Sequence, residues 1–290
     1  MPSNELLGHG DVISAWKQLQ AVYEALKTET NHRWVYRGQR QYQWDLASKL
    51  ERAAQRFREP LNRLPRIERF LLTEFRRHAH RYASAVPQPQ DVDTVRWYAL
   101  MQHHGAPTRM LDFTYSFYAA LHFAIEYAQA GDHCALWAVD QGWCWDQAKR
   151  RLPEDLGETI ERDFTRGKTP ALQGKVLECR ACAVVPDNPF LLDERLAVQQ
   201  SVFLIPIDVR KPFMENLIPA SVQAEARSAV RKYELCCTLE LLTAALAELR
   251  RMNISRVSLF PGLDGLADSL ENRIATDAAV WTEELPKGAV

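Results

Sequence analysis

Along most of this chain apolar residues return every third or fourth position, the spacing of amphipathic helices, and only short stretches are densely β-branched or aromatic. Ile13, Trp16, Leu19, Val22, Tyr23 and Leu26 make one helical stripe over 11–30, with Asp11 placed as a cap. The same spacing predicts helices over 46–57, 67–82, 92–104, 117–128 and 153–164. Further helices are expected over 220–227, 233–252 and 263–274. Strand signals are brief: Trp34-Val35-Tyr36 stopped by Gly38, then 134–139, 181–185, 198–207 and 256–260. Proline marks a linker over 59–65 and a loop over 84–90, and Gly105-Ala106-Pro107 ends the fourth predicted helix.

Helices dominate the first part and most strands fall in the second, without βαβ alternation. The expected class is therefore α+β: a helix-rich N-terminal part, a small mixed or antiparallel sheet core and a helical C-terminal part. The predicted organisation is an N-terminal helical extension over 1–30, one domain over 31–275 and a tail over 276–290.

Composition narrows the function classes. The chain has 290 residues, 47% of them hydrophobic, which is enough for a substantial core. A formal net charge of −1 gives no whole-molecule attraction to nucleic acid, so any such contact needs a local basic groove. The N-terminus shows no basic stretch followed by an apolar run. The longest apolar segment, Phe117 to Tyr127, is broken by His122 and Glu126 and is too short to span a bilayer. The six cysteines are irregularly spaced, as reduced core thiols are, and the expectation is a soluble cytoplasmic protein without a membrane partner. No metal is expected: Cys179-Arg180-Ala181-Cys182 has no second ligand pair, and Cys236-Cys237 reads as the core face of a helix. Nucleotide-fold and hydrolase signatures (Gly-x-Gly-x-x-Gly, the P-loop, Gly-x-Ser-x-Gly) are missing.

Two polar clusters abut apolar segments, where unsatisfied groups cost about 1–3 kcal/mol each. The first is Val35-Tyr36-Arg37-Gly38-Gln39. Arg37 is either a structural arginine on nearby carbonyls or an anion clamp, with Gly38 allowing backbone and ligand to approach. The second runs from Gln102 to Thr114 and holds His103, His104, Thr108, Arg109, Asp112 and Thr114. Here Asp112 either pairs with Arg109 or faces a ligand. Thr114 is placed to cap the next helix, whose N-terminus would also favour a phosphate. His103 and His104, being adjacent, point apart. Gln199 and Gln200, with Arg195 nearby, enter a predicted strand and offer amides to a sugar or base.

These residues resemble the FRG domain family. Its Phe-Arg-Gly motif reads Tyr36-Arg37-Gly38-Gln39, followed by Trp44-x-Leu46 and Arg52. Its Gln-His-x-Gly-x-Pro-Thr-Arg-Leu-Leu-Asp-Trp-Thr signature reads Gln102 to Thr114, with Met110 and Phe113 as variants. Ala120-Leu121-His122-Phe123-Ala124, then Arg195, Gln199 and Phe203, then Leu259-Phe260-Pro261-Gly262 continue the likeness to about Leu270, with Ser201 where glycine is usual. A weaker likeness, in the order of motifs, is to ADP-ribosyltransferase folds, which have a split sheet. It implies NAD as substrate and a nucleic-acid or protein acceptor, in a toxin or antiviral-defence setting. In that reading Arg37, Asp112, Thr114 and Gln199 are catalytic, and Tyr36, Gly38, Gln39, His103, Thr108 and Arg109 bind the nucleotide. Glutamine stands where those enzymes carry glutamate. That departure keeps open a second reading, a non-catalytic nucleotide- or nucleic-acid-binding module. The oligomeric state is not legible in the chain.

Overall fold

Trp34-Val35-Tyr36 extends to Gln39 and pairs antiparallel with Asp132–Asp140 over its whole length, from Trp34↔Asp140 to Gln39↔Ala135. A computed structural model describes residues 8–9, 12–82, 93–165, 170–188 and 194–276. The expected loop over 84–90, the Asp11 cap and the tail beyond 276 lie outside these residues. Within them the strands are β1 (Gly8–His9), β2 (Trp34–Gln39), β3 (Leu111–Thr114), β4 (Asp132–Asp140), β5 (Val184–Asp187), β6 (Ser201–Pro206) and β7 (Val230–Cys237). They form one seven-stranded sheet in the order β1-β7-β4-β2-β3-β6-β5, antiparallel throughout except for the β1–β7 edge. The α+β class is thus established.

The helices are α1 (Trp16–Thr28), α2 (Lys49–Arg56), α3 (Leu64–Ala79), α4 (Thr94–His103), α5 (Phe117–Ile125), α6 (Gln141–Arg151) and α7 (Glu154–Thr165). They continue with α8 (Pro170–Glu178), α9 (Glu194–Val198), α10 (Phe213–Leu217), α11 (Gln223–Ala229), α12 (Leu239–Arg251), α13 (Arg256–Leu259) and α14 (Leu263–Thr276). Strand side chains alternate between faces, so each face of the sheet receives its own apolar set. Trp34, Tyr36, Leu136, Ala138 and Leu235 pack with α1, α5 and α12 on one face. Val35, Trp137, Val139, Phe113, Val202 and Leu204 pack with α10 and α11 on the other. Phe203 and Ile205 of β6 join Val185 of β5 under α3, α4 and α6 to α8.

Strands β2 and β3 share a single registered pair, Tyr36↔Thr114, whereas β2–β4 and β4–β7 are registered along their length. The sheet is therefore two halves, β1-β7-β4-β2 and β3-β6-β5, joined at one point.

The structure corrects several expected elements. Residues 233–237 belong to β7, not to a helix running to 252. Thr238 breaks the run, its side chain accepting from Leu241 N at 3.1 Å to cap α12. Cys236 and Cys237 are consequently strand residues, and Cys237 Sγ lies 3.4 Å from Cys134 Sγ. Residues 256–259 form one helical turn, not a strand, opened by the Ser255–Ser258 capping box. Helix α6 carries no obvious apolar stripe, since its buried face includes Gln141 and Gln147 beside Cys144, Trp145 and Ala148, and Asp140 starts it by accepting from Gly142 N at 2.8 Å. Near the N-terminus Ile13 N donates to Glu234 O at 2.9 Å, and Leu19 and Leu26 lie in the same apolar cluster as β2 and α5. No described helix is long and apolar enough to cross a membrane.

Candidate functional site

Helix α5 lies directly on β2 because Gly38 has no side chain. A Cβ there would sit 2.0 Å from Ala120 O and 2.5 Å from Ala124 N. Gly38 thus serves the approach of a helix. Beside it, where β2 and β3 part, a cavity of about 230 Å³ opens. Its lining brings together Arg37, Asp112, Thr114 and Gln199, residues up to 162 positions apart, along with Tyr36, Gly38 and His103.

Among the described residues Arg37 is held at this point by one bond. Its Nη1 donates to the main-chain O of Asp112 at 2.6 Å, reaching a carbonyl that the short β2–β3 register leaves unpaired with β2. Its Nε is buried and has no hydrogen-bond partner among the described residues. Burial pushes the guanidinium's pKa down; the Asp112 charge opposes that and Arg52 adds to it. A rigid fork with an unmet N–H is suited to an anion, most of all to phosphate or carboxylate oxygens.

Asp112 supplies the only carboxylate among the described residues lining the cavity. Its orientation is set by a relay: Thr108 Oγ1 donates to Gln102 Oε1, and Gln102 Nε2 donates to Asp112 Oδ1 at 2.7 Å. Gln102 opens the second signature motif and no local signal in the chain marks it, yet its position at the end of α4 facing Asp112 is what aims the carboxylate. Tyr36 packs edge-on against Phe117, ring centroids 5.4 Å apart, and burial, with Tyr23, Tyr233 and Glu29 near its phenol, raises it to about 12, so it is a neutral hydroxyl.

Thr114 and Gln199 face the cavity, with the Thr114 hydroxyl proton and one of the two Gln199 amide N–H groups already engaged. Thr114 Oγ1 donates to Gln199 O at 2.7 Å and accepts from Ser116 N at 2.9 Å. It does not cap α5; Ser116 does, accepting from Ala119 N at 3.2 Å. Gln199 Nε2 donates to Leu259 O at 2.9 Å, tying α9 to α13 and bringing Phe260 into the cavity wall. There Phe260 stacks with the guanidinium of Arg195, 4.4 Å from the ring centroid. Arg195, Phe203 and Phe260 are lining residues that the family-like segments contained but that no local pattern marked as neighbours.

Arg109, Thr108 and Gln39 do not line this cavity, although Gln39 lines a neighbouring one that shares Arg37 and Gly38 with it. Arg109 is 4% exposed and ringed by acceptors: Nε donates to Glu68 Oε1 at 2.7 Å, and Nη2 pairs with Glu68 Oε2. Its Nη1 meets the carbonyls of Leu177, Pro206 and Ile207 at 3.2, 3.3 and 3.0 Å. Burial works against its charge, and Glu68 more than offsets that, raising its pKa. Asp112 therefore does not pair with Arg109. Thr108 is fully buried and acts through Gln102. Gln39 Oε1 accepts from Trp137 Nε1 at 2.7 Å, which holds it within the core.

The described residues contain no group of three or more histidine, cysteine, aspartate or glutamate side chains placed to hold a metal ion. No curated protein and no solved structure matches the chain. One family does. Its match covers residues 32–133, the segment that carries Arg37, Gln102, Thr108 and Asp112, while Arg195, Gln199 and Phe260 come to the cavity from beyond it. With both signature motifs meeting at one cavity, residues 32–133 of this chain are an FRG domain.

Proposed function

We propose that the cavity between β2 and β3 binds a diphosphate-bearing nucleotide of the NAD class, and that the protein is an ADP-ribosyltransferase-like enzyme acting on a macromolecular acceptor. The observation that carries this reading is Arg37: a guanidinium with an unmet buried N–H, at the parting of the sheet, beside a single oriented carboxylate. Size supports an extended ligand. The cavity of about 230 Å³ is below the ≈ 300–1,000 Å³ usual for ligand sites. A second cavity of about 750 Å³ shares Arg37 and Gly38 with it and adds Arg40, Arg52 and Trp44. Arg37 thus stands between two spaces, where the diphosphate of a dinucleotide would lie between its two nucleoside halves.

The chemistry follows from charge. Breaking the nicotinamide–ribose bond sends the bonding pair to nicotinamide and leaves positive charge on the ribose. Asp112, aimed by Gln102, stabilises that charge, and Arg37 holds the diphosphate in place. A nucleophilic oxygen or nitrogen of the acceptor then closes on the ribose carbon and loses its proton to solvent or to Asp112. Thr114 contributes as a positioning residue, because its hydroxyl donor is committed to the main-chain O of Gln199, while Gln199, with one amide N–H on Leu259 O, offers the other to a ribose hydroxyl or the acceptor. A nucleic-acid or protein acceptor, and a role in a toxin or in defence against phage, extend the same reading.

Labelled NAD is the test. Free nicotinamide or label on an acceptor is expected, with Asp112→Asn lowering turnover about 10²–10³-fold, the size of a lost preorganised electrostatic contact. Saturable binding without any turnover would instead identify a nucleotide-binding module. The specific observation favouring that second reading is Gln199, an amide tied to Leu259 O where a carboxylate would be needed.

A further inference from the structure

A separate cavity of about 140 Å³ lies among α5, α12, α13 and α14, and it shares no lining residue with the nucleotide cavity. Arg250, Arg256 and Arg273 line it together with His122, Ser269 and Asn272, and no carboxylate does. Two buried nitrogens here have no hydrogen-bond partner among the described residues: Arg256 Nε and His122 Nδ1, the latter on a side chain 2% exposed. The carboxylates near them are accounted for. Glu126 approaches Arg256 Nη1 at 3.2 and 3.3 Å and lies 3.7 Å from His122 Nδ1, while Asp268 is 3.4 Å from Arg256 Nη2. Those pairs leave the two orphaned nitrogens unexplained.

Volume limits the occupant. About 140 Å³ is the share of four or five waters at roughly 30 Å³ each, far short of a nucleotide. A cluster of arginines with hydroxyl and amide donors and no lining carboxylate selects a compact, multiply charged oxyanion. We infer that this cavity is an anion site for inorganic phosphate. It also has a route to the other cavity: the Arg256 guanidinium lies 3.8 Å from the centroid of Phe260, which Phe123, next to His122, meets edge-on at 6.0 Å. Phe260 and Phe123 both line the nucleotide cavity. An anion that fixes Arg256 therefore fixes that wall and strengthens nucleotide binding, a coupling that rests on the proposed function whereas the anion site itself does not.

The test titrates inorganic phosphate into the full chain at constant ionic strength and follows heat and thermal midpoint. Arg250→Gln and Arg273→Gln should each weaken phosphate about tenfold or more, the loss of one charge-assisted contact, with Arg273→Lys partly restoring it. Arg37→Ala should leave unchanged the component of phosphate binding that Arg250→Gln and Arg273→Gln weaken. Equal phosphate affinity in the original and both glutamine variants overturns the site, as does binding lost only with Arg37→Ala, which would put the anion in the nucleotide cavity. Where a variant misfolds, the His122 ring resonances of the unaltered protein decide: they shift with saturating phosphate, and unmoved signals refute the proposal. Saturating phosphate should also tighten ADP-ribose about fivefold, a typical coupling between sites. Phosphate binding without that tightening removes the coupling and leaves the anion site standing; tightening that persists in Arg273→Gln overturns both.

Discussion

Arg109 and Arg37 stand in the two signature motifs of this chain, and their surroundings differ in kind. Around Arg109 the protein supplies both oxygens of Glu68 and three carbonyls, joining α3, α8 and the end of β6 to one guanidinium. Around Arg37 the described residues supply one carbonyl and leave a buried N–H unmet beside open space. A buried charge that is fully answered by protein has nothing left for a ligand; one answered in part has. Motif membership alone does not separate the two, and hydrogen-bond accounting does.

The sharpest way to break this contrast is at Glu68. Glu68→Ala strands the Arg109 charge in the core and should cost about 3–5 kcal/mol of stability by denaturant unfolding. A paired replacement, Glu68→Met with Arg109→Met, should recover most of it. A loss no larger than a surface substitution would mean that Arg109 is not the structural member of the pair. Next in size is Gly38→Ala, which drives a methyl into the Ala120 carbonyl and should cost about 1–3 kcal/mol or more as α5 is forced off β2. Ligand affinity should fall with it, since α5 carries Phe123 into the cavity wall.

Arg37→Ala should behave in the opposite sense to Glu68→Ala. Its unfolding midpoint should stay near that of the original protein, because only one internal hydrogen bond goes and an unsatisfied N–H goes with it. ADP-ribose affinity should drop about tenfold or more, the value of a charge-assisted bond. Full affinity in a well-folded Arg37→Ala protein would return Arg37 to the structural class. The smallest effect is expected at Thr114→Val, about 1 kcal/mol of stability from the lost bond to Gln199 O.

Much of the element map was legible because its signals are local. Periodicity marked α1, α3, α4 and α14, and the aromatic run at Trp34 marked the central strand β2. One error has a definite cause: where apolar spacing is compatible with both periods, as at Tyr233 to Cys237, the outcome depends on a capping threonine and on which neighbour strand is free to pair. The candidate site was legible in part for the same reason. Arg37 and Asp112 stood out as polar groups against apolar sequence, whereas Phe260 and Arg195 become neighbours only through the Gln199 bond to Leu259.

The sequence by itself determined the α+β character, the membership of 32–133 in the FRG family and the two motifs that meet at the cavity, because periodicity and residue type act over a few positions. Only the tertiary structure decided which motif arginine stays unsatisfied. That choice depends on acceptors brought from Glu68, Leu177 and Pro206 in one case, and on the single β2–β3 pair that exposes the Asp112 carbonyl in the other. Satisfaction of a buried charge is a sum over neighbours distant in the chain, and no window of sequence contains it.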